Sequence, residues 1–254
     1  MSKAQRTKSD RTMSAREKIR EQQAAARAQE RRKKLVTYTT AAVVAVAAVG
    51  LGAWYMISSS KSEEAGAGLA PITVQPDGSA VMAQAGVTRP VVDIYEDFQC
   101  PVCKELERVS GQTFKNLAAE GKAKVVFHPI TIFSREPTKG NSVRAAAAAR
   151  CVADGKQWMA FHDLIYKNQP AETVEGFKAD QLAEWGKEAG VTSPDFESCV
   201  TSQKHAPAVL ADSTKIMKEQ AIEGTPTVKL NGTSIGEAAF SPQQLRDAVT
   251  KAAK

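Results

Sequence analysis

The chain has 254 residues, 43% of them apolar, which is enough for one or two packed domains. Its formal charge of +6 is unevenly spread: residues 1–34 carry twelve Lys/Arg against Asp10, Glu17, Glu21 and Glu30, a net of +8, so the remainder sums to −2. The basic composition therefore does not indicate a nucleic-acid binder, because the part that can fold is slightly acidic and the basic part is a tail.

That tail ends at Arg31-Arg32-Lys33-Lys34, and residues 35–57 then run for 23 positions without a formal charge. Such a run is long enough to span a bilayer as a tilted helix. Trp54 and Tyr55 near its far end suit an interfacial belt, and the basic cluster before it predicts a cytoplasmic N-terminus with the rest of the chain outside. A cleaved signal peptide is the rival reading, with Ala65-Gly66-Ala67 as a cleavage site. The long basic region and long apolar stretch favour an uncleaved anchor. Residues 58–78 read as a linker, Ser/Gly/Ala-rich as far as Pro71, and residues 79–254 as the folded domain.

In that domain Val91 to Gln99 is β-branched and aromatic enough for a buried strand. Cys100-Pro101-Val102-Cys103 follows directly, and Val102, Leu106, Val109, Thr113 and Leu117 then recur at helical spacing. Pro101 suits the first helical position, where its missing N–H costs nothing, so Cys100 falls at or beside the N-cap. Unpaired backbone N–H groups and the helix dipole stabilise a thiolate there. Cys100 is the expected nucleophile and Cys103, one turn inside, the resolving thiol.

Lys122 to His128 reads as a second strand ended by Pro129, and Asn141 to Asn168 as one helix with Trp158, Phe161, His162 and Ile165 on a common face. His128 is expected to be structural and His162 to sit at the edge of the core. Helices follow at about Ala179–Ala189 and Pro207–Ala221, and Asn231-Gly232 marks a hairpin between Thr227–Leu230 and Thr233–Ile235. Ser241-Pro242-Gln243-Gln244 opens a last helix, to about Ala252. Cys151 and Cys199 remain. A disulfide between them would close a loop of 48 steps between α-carbons and contribute about 2–4 kcal/mol, the alternative being two buried free thiols. His128, His162 and His205 have no finger-like spacing, so no metal site is predicted.

Asp97-Phe98-Gln99-Cys100-Pro101-Val102-Cys103, together with Gly224-Thr225-Pro226-Thr227-Val228 and Asn231-Gly232, resembles the DsbA-like branch of the thioredoxin superfamily over roughly residues 80–254. The resemblance implies an α/β thioredoxin fold with an inserted helical domain at about residues 135–206. It implies a cis Pro226 lying against Cys100, with Pro101, Val102, Thr225 and Pro226 meeting the substrate. It also supports a structural Cys151–Cys199 disulfide. The implied activity is thiol–disulfide exchange on reduced or unfolded exported proteins. The cysteines alone carry it, without a cofactor, and a membrane partner, DsbB-like or vitamin K epoxide reductase-like, would restore the disulfide.

Two departures bear on direction. Strong oxidases of the branch place His where this chain has Val102, and many relatives keep a buried carboxylate where this chain has Ile94, leaving Asp93, Glu96 and Asp97 as nearby substitutes. Asp97 itself reads first as a turn or cap residue. A reductase or isomerase on the same scaffold, or a non-catalytic binding module, are the alternatives to an oxidase.

Overall fold

The computed structural model describes residues 68–253. The basic tail (1–34), the expected membrane span (35–57) and the linker up to residue 67 lie outside them. Among the described residues no helix is long and apolar enough to cross a membrane.

Six strands form one sheet, in the order β1-β2-β4-β3-β5-β6. They are β1 (Ile72–Val74), β2 (Ala80–Met82), β3 (Val91–Glu96), β4 (Lys124–Pro129), β5 (Thr227–Leu230) and β6 (Thr233–Ser234). Only β3 and β4 run parallel, in register from Val91 opposite Lys124 to Glu96 opposite Pro129. The helix α1 (Pro101–Ala119) makes their crossover. Val92 and Ile94 of β3 are buried in the same core as Leu106, Phe114 and Leu117 of α1.

Residues 72–74, expected in the linker, are instead a strand of the sheet. Asp77 causes the reversal that allows this. Its Oδ1 accepts from the Ser79 N–H at 3.0 Å and the Ser79 hydroxyl at 2.7 Å, and Gly78 takes a left-handed φ of 84°. β1 then pairs antiparallel with β2.

Between β4 and β5 the chain forms α2 (Thr138–Ala149), α3 (Gly155–Lys167), α4 (Ala179–Glu188), α5 (Phe196–Thr201) and α6 (Ala206–Glu219). The single helix expected over Asn141–Asn168 is thus two. Asp154 starts a new one by accepting the Gln157 N–H on Oδ1 at 2.9 Å, and Asp154 also bridges to Thr73 of β1. A Cβ on Gly155 would lie 2.2 Å from the Ile72 carbonyl oxygen, so β1 crosses the chain where a continuous helix would need side-chain room. Cys151, just past α2, is bonded to Cys199 of α5, with a Cα–Cα distance of 6.0 Å.

The hairpin forms as expected, with Asn231 at φ 50° and Gly232 at φ 85°. A 3-10 turn (Gly236–Phe240) leads into α7 (Pro242–Ala252), whose N-cap Ser241 accepts the Gln244 N–H at 3.4 Å.

His162 is not at the core edge but wholly buried where α3 crosses the end of β3. Its Nε2 lies 2.9 Å from Glu96 Oε1, and the Tyr166 hydroxyl donates to Glu96 Oε2 at 3.1 Å. Nδ1 lies 3.1 Å from Asp163 Oδ1, and Lys115 of α1 donates to both Asp163 and Glu107. Burial alone would push the imidazolium pKa down, but the carboxylates of Glu96 and Asp163 outweigh it and hold His162 at about 10. It is cationic at neutral pH.

Replacing both Cys151 and Cys199 by Ser is expected to lower the unfolding free energy by about 2–4 kcal/mol, because a closed loop is released in the denatured chain. Urea titration of the two proteins at equal pH checks this. An unshifted midpoint would contradict it.

Candidate active site

β3 delivers the chain to the site. It ends at Glu96, and Asp97 turns the backbone: its carbonyl accepts the Cys100 N–H at 2.9 Å while its Oδ1 accepts the Gln99 N–H, also at 2.9 Å. Cys100 is the N-cap of α1, at φ −73° and ψ 120°, with Pro101 opening the helix as expected. The Cys100 carbonyl accepts from the Cys103 N–H at 3.1 Å and the Lys104 N–H at 3.2 Å.

Thr225–Pro226 is cis and stands opposite. The Cys100 thiol donates to the Thr225 carbonyl at 3.3 Å. Past this turn lies a cavity of about 400 Å³ lined by Glu223, Gly224, Thr225, Pro226, Thr227 and Lys229, among others. Val102, beside the sulfur, is 51% exposed and offers the site only its backbone. The structure thus brings Cys100, Pro101, Val102, Cys103, Thr225 and Pro226 together. Cys151 and Cys199 are bonded to each other instead.

Both site cysteines are free thiols, and their environments are opposite. A hydrogen bond from the Cys103 thiol is the largest influence on Cys100 and outweighs burial. The Thr225 side chain and the N–H groups of Cys103 and Val102 act the same way, so Cys100 falls to about 6. Cys103 is only 1% exposed, and burial, followed by the neighbouring Cys100 sulfur, pushes its pKa well up. The Asp97 N–H at 3.5 Å from Cys103 Sγ offsets a part of this.

The carboxylates near the motif sort by strand alternation. Asp93 points to the opposite face, where Oδ1 lies 2.9 Å from His128 Nε2 and the His128 ring stacks on Tyr95. Asp97 is a turn residue, as expected, and is also fully buried. Burial raises its carboxyl to about 6 despite donors from the Ser142 hydroxyl at 2.5 Å and the Ile132 N–H at 2.9 Å. Sequence reasoning missed Ser142 and the Glu96–His162 pair, since only the crossing of the inserted helices over the strand end brings them together.

A thioredoxin family profile matches residues 86–251. Oxidised DsbA of Mycobacterium tuberculosis is 30% identical, with a TM-score of 0.58 over 72% of this chain and 92% of that one. Reduced DsbG of the same organism is also 30% identical, with a TM-score of 0.55 over 76% of this chain and 98% of that one. The chain belongs to the thioredoxin family, in its DsbA-like branch. Among curated proteins, a candidate protein-disulfide oxidoreductase of Rickettsia bellii is 30% identical over 108 residues, 42% of this chain and 41% of that protein. The chain spans less than two thirds of the length of the curated relatives it matches. The thioredoxin fold with a helical insertion, expected from the motifs, is the fold observed.

Because a thiolate reacts and a thiol does not, iodoacetamide should modify reduced protein at Cys100 first, with a rate that climbs as pH rises through about 6 and is level above it. An ordinary cysteine would show its rise near about 8.5. Peptide mapping across a pH series reads both the site and the midpoint, and a midpoint above about 8 would contradict the assignment.

Proposed function

We propose that the chain is a DsbA-type thiol:disulfide oxidoreductase that works outside the cytoplasm and oxidises cysteines of exported proteins through a Cys100–Cys103 disulfide. The observation that carries this is the asymmetry of the two thiols. Cys100, at the helix start, is held near 6 and Cys103, one turn inside, is held well above the ordinary thiol range.

In the oxidising direction a substrate thiolate attacks Cys100 Sγ. The Cys100–Cys103 bond breaks, and Cys103 leaves with the electron pair and takes a proton. A second substrate thiolate then attacks the substrate sulfur of the mixed disulfide and releases Cys100 as a thiolate. The substrate loses two electrons and the cysteine pair gains them. A stabilised Cys100 thiolate favours this direction, because it lowers the energy of the reduced enzyme.

Asp97 is the group proposed to exchange the proton with Cys103, directly or through one water. Its carboxyl near 6 lets it both accept and donate at neutral pH, and its own N–H contacts the Cys103 sulfur. Thr225 and Pro226 would receive an extended stretch of substrate along the groove beside them. Residues 35–57 are proposed as a single membrane anchor with the N-terminus cytoplasmic, which would keep the domain near a membrane oxidase, DsbB-like or vitamin K epoxide reductase-like, that restores the disulfide.

One observation favours a reductase or isomerase instead: Val102 presents an apolar side chain where a donor would strengthen oxidation. Equilibrium of the purified protein with glutathione buffers separates the two. A potential well above that of thioredoxin, about −270 mV, is expected, and one at that value would select the reductase.

Cys100→Ser is expected to abolish oxidation of a reduced, unfolded substrate, and retained activity would overturn the proposal. Asp97→Asn is expected to slow formation of the mixed disulfide by about a hundredfold at neutral pH, the lower end of general acid–base contributions, while leaving Cys100 alkylation intact. Stopped-flow exchange with a model peptide measures the first effect and alkylation rate the second. An unchanged formation rate removes Asp97 from the mechanism.

A further inference from the structure

The segment that follows α3 straps the active-site turn. Gln169 lies two residues beyond the last residue of that helix, and its side-chain amide donates both hydrogens to active-site backbone. Nε2 reaches the Phe98 carbonyl at 2.8 Å and the Cys100 carbonyl at 2.9 Å. In the other direction the Gln99 side chain donates to the Pro170 carbonyl at 3.1 Å, and Lys104 Nζ lies 3.4 Å from the Lys167 carbonyl.

The Cys100 carbonyl is the first acceptor of α1, already taking the N–H groups of Cys103 and Lys104. With Gln169 it has three donors. Each fixes the same peptide plane, and that plane sets where the Cys100 sulfur stands relative to the helix N-terminus and Thr225. A half-buried carbonyl deprived of a donor shifts toward another or toward water, and the turn from Phe98 to Cys100 shifts with it.

We infer that Gln169 is a positioning residue for thiol–disulfide exchange: by holding the Phe98 and Cys100 carbonyls it keeps the Cys100 sulfur aligned with the start of α1, so the helical insertion sets the reactivity of the dithiol. This rests on the proposed role of Cys100 and deepens it. The insertion is then more than a lid or a spacer. A change at the end of α3 reaches the sulfur through one side chain.

Gln169→Met keeps the size of the side chain and removes both donors. It is expected to lower the acid dissociation constant of the Cys100 thiol and to shift the glutathione equilibrium of the Cys100–Cys103 pair toward the disulfide, each by about three- to tenfold, the worth of one ordinary hydrogen bond. Thiolate absorbance near 240 nm against pH reads the first and quenched glutathione mixtures the second. Gln169→Asn, too short to span both carbonyls, is expected to shift both in the same sense and by less, and it serves if the Met variant does not fold. The titratable groups acting on Cys100 include Cys103, while Asp97 feels the Cys100 charge; neither is altered by these substitutions.

Asn168→Ala is the comparison. Asn168 donates only to the Leu164 carbonyl of its own helix, at 2.9 Å, so its loss loosens the same segment without touching the active-site carbonyls. It should leave both readings at their wild-type values. Wild-type readings from Gln169→Met, or an equal shift from Asn168→Ala, would overturn the inference. A wild-type protein that lacks an acidic, exchanging Cys100 would instead overturn the function on which it rests.

Discussion

A carboxylate at the end of a central strand, under a helical layer, must find a cation or pay several kcal/mol in lost hydration. Glu96 is that group, and His162 answers it from α3. The pairing obliges α3 to cross the end of β3 at one height and one rotation. Trp158 then stacks on the His162 ring, and Phe98 and Phe127 meet it edge-on. Asp163, Lys115 and Glu107 continue the charge alternation outward to α1. Sheet, first helix and insertion therefore share one chain of contacts, and the end of α3 comes down beside the active-site turn as a result.

The dithiol owes its asymmetry to depth along a single helix. Cys100, 6% exposed, stands where α1 has N–H groups to give, facing the proline turn, whereas Cys103, 1% exposed, lies a turn deeper against the core. The same covalent unit thus contains one sulfur that is easily ionised and one that is not. Exchange chemistry needs this inequality, since one sulfur must meet the outside thiol and the other must wait for it.

Much of this was legible in the residues. The strand before the motif, Pro101 at the helix start, the Asn231-Gly232 turn and the Ser241 cap each follow from local backbone chemistry, and each is found in place. The Cys151–Cys199 bond was one of two readings, favoured over a pair of free thiols by an exported compartment, an even cysteine count and the family resemblance, and it is present. The division of the long helix at Asp154 was harder to see. Its cause is β1, a strand too short to announce itself, crossing at Gly155. The burial of His162 was equally hidden, because its partner is 66 positions away and charged residues near a motif look alike until alternation sorts them. Asp97 shows the limit of local reading most plainly: its turn geometry is local, but the burial that raises its pKa belongs to the assembled fold, and the donors from α2 and the segment after β4 offset only a part of it.

β3 is anchored at both of its ends. At the start, the Val91 N–H donates to Asn231 Oδ1 at 2.9 Å and the Val91 carbonyl accepts the Asn231 N–H at 2.8 Å. At the finish, Glu96 and Asp97 are held by the insertion. A strand pinned in this way, with neighbours on both sides, behaves as a ruler: the reactive sulfur sits at a fixed reading on it. A change in the length of a loop around it would leave the Cys100 sulfur at the same height on the sheet.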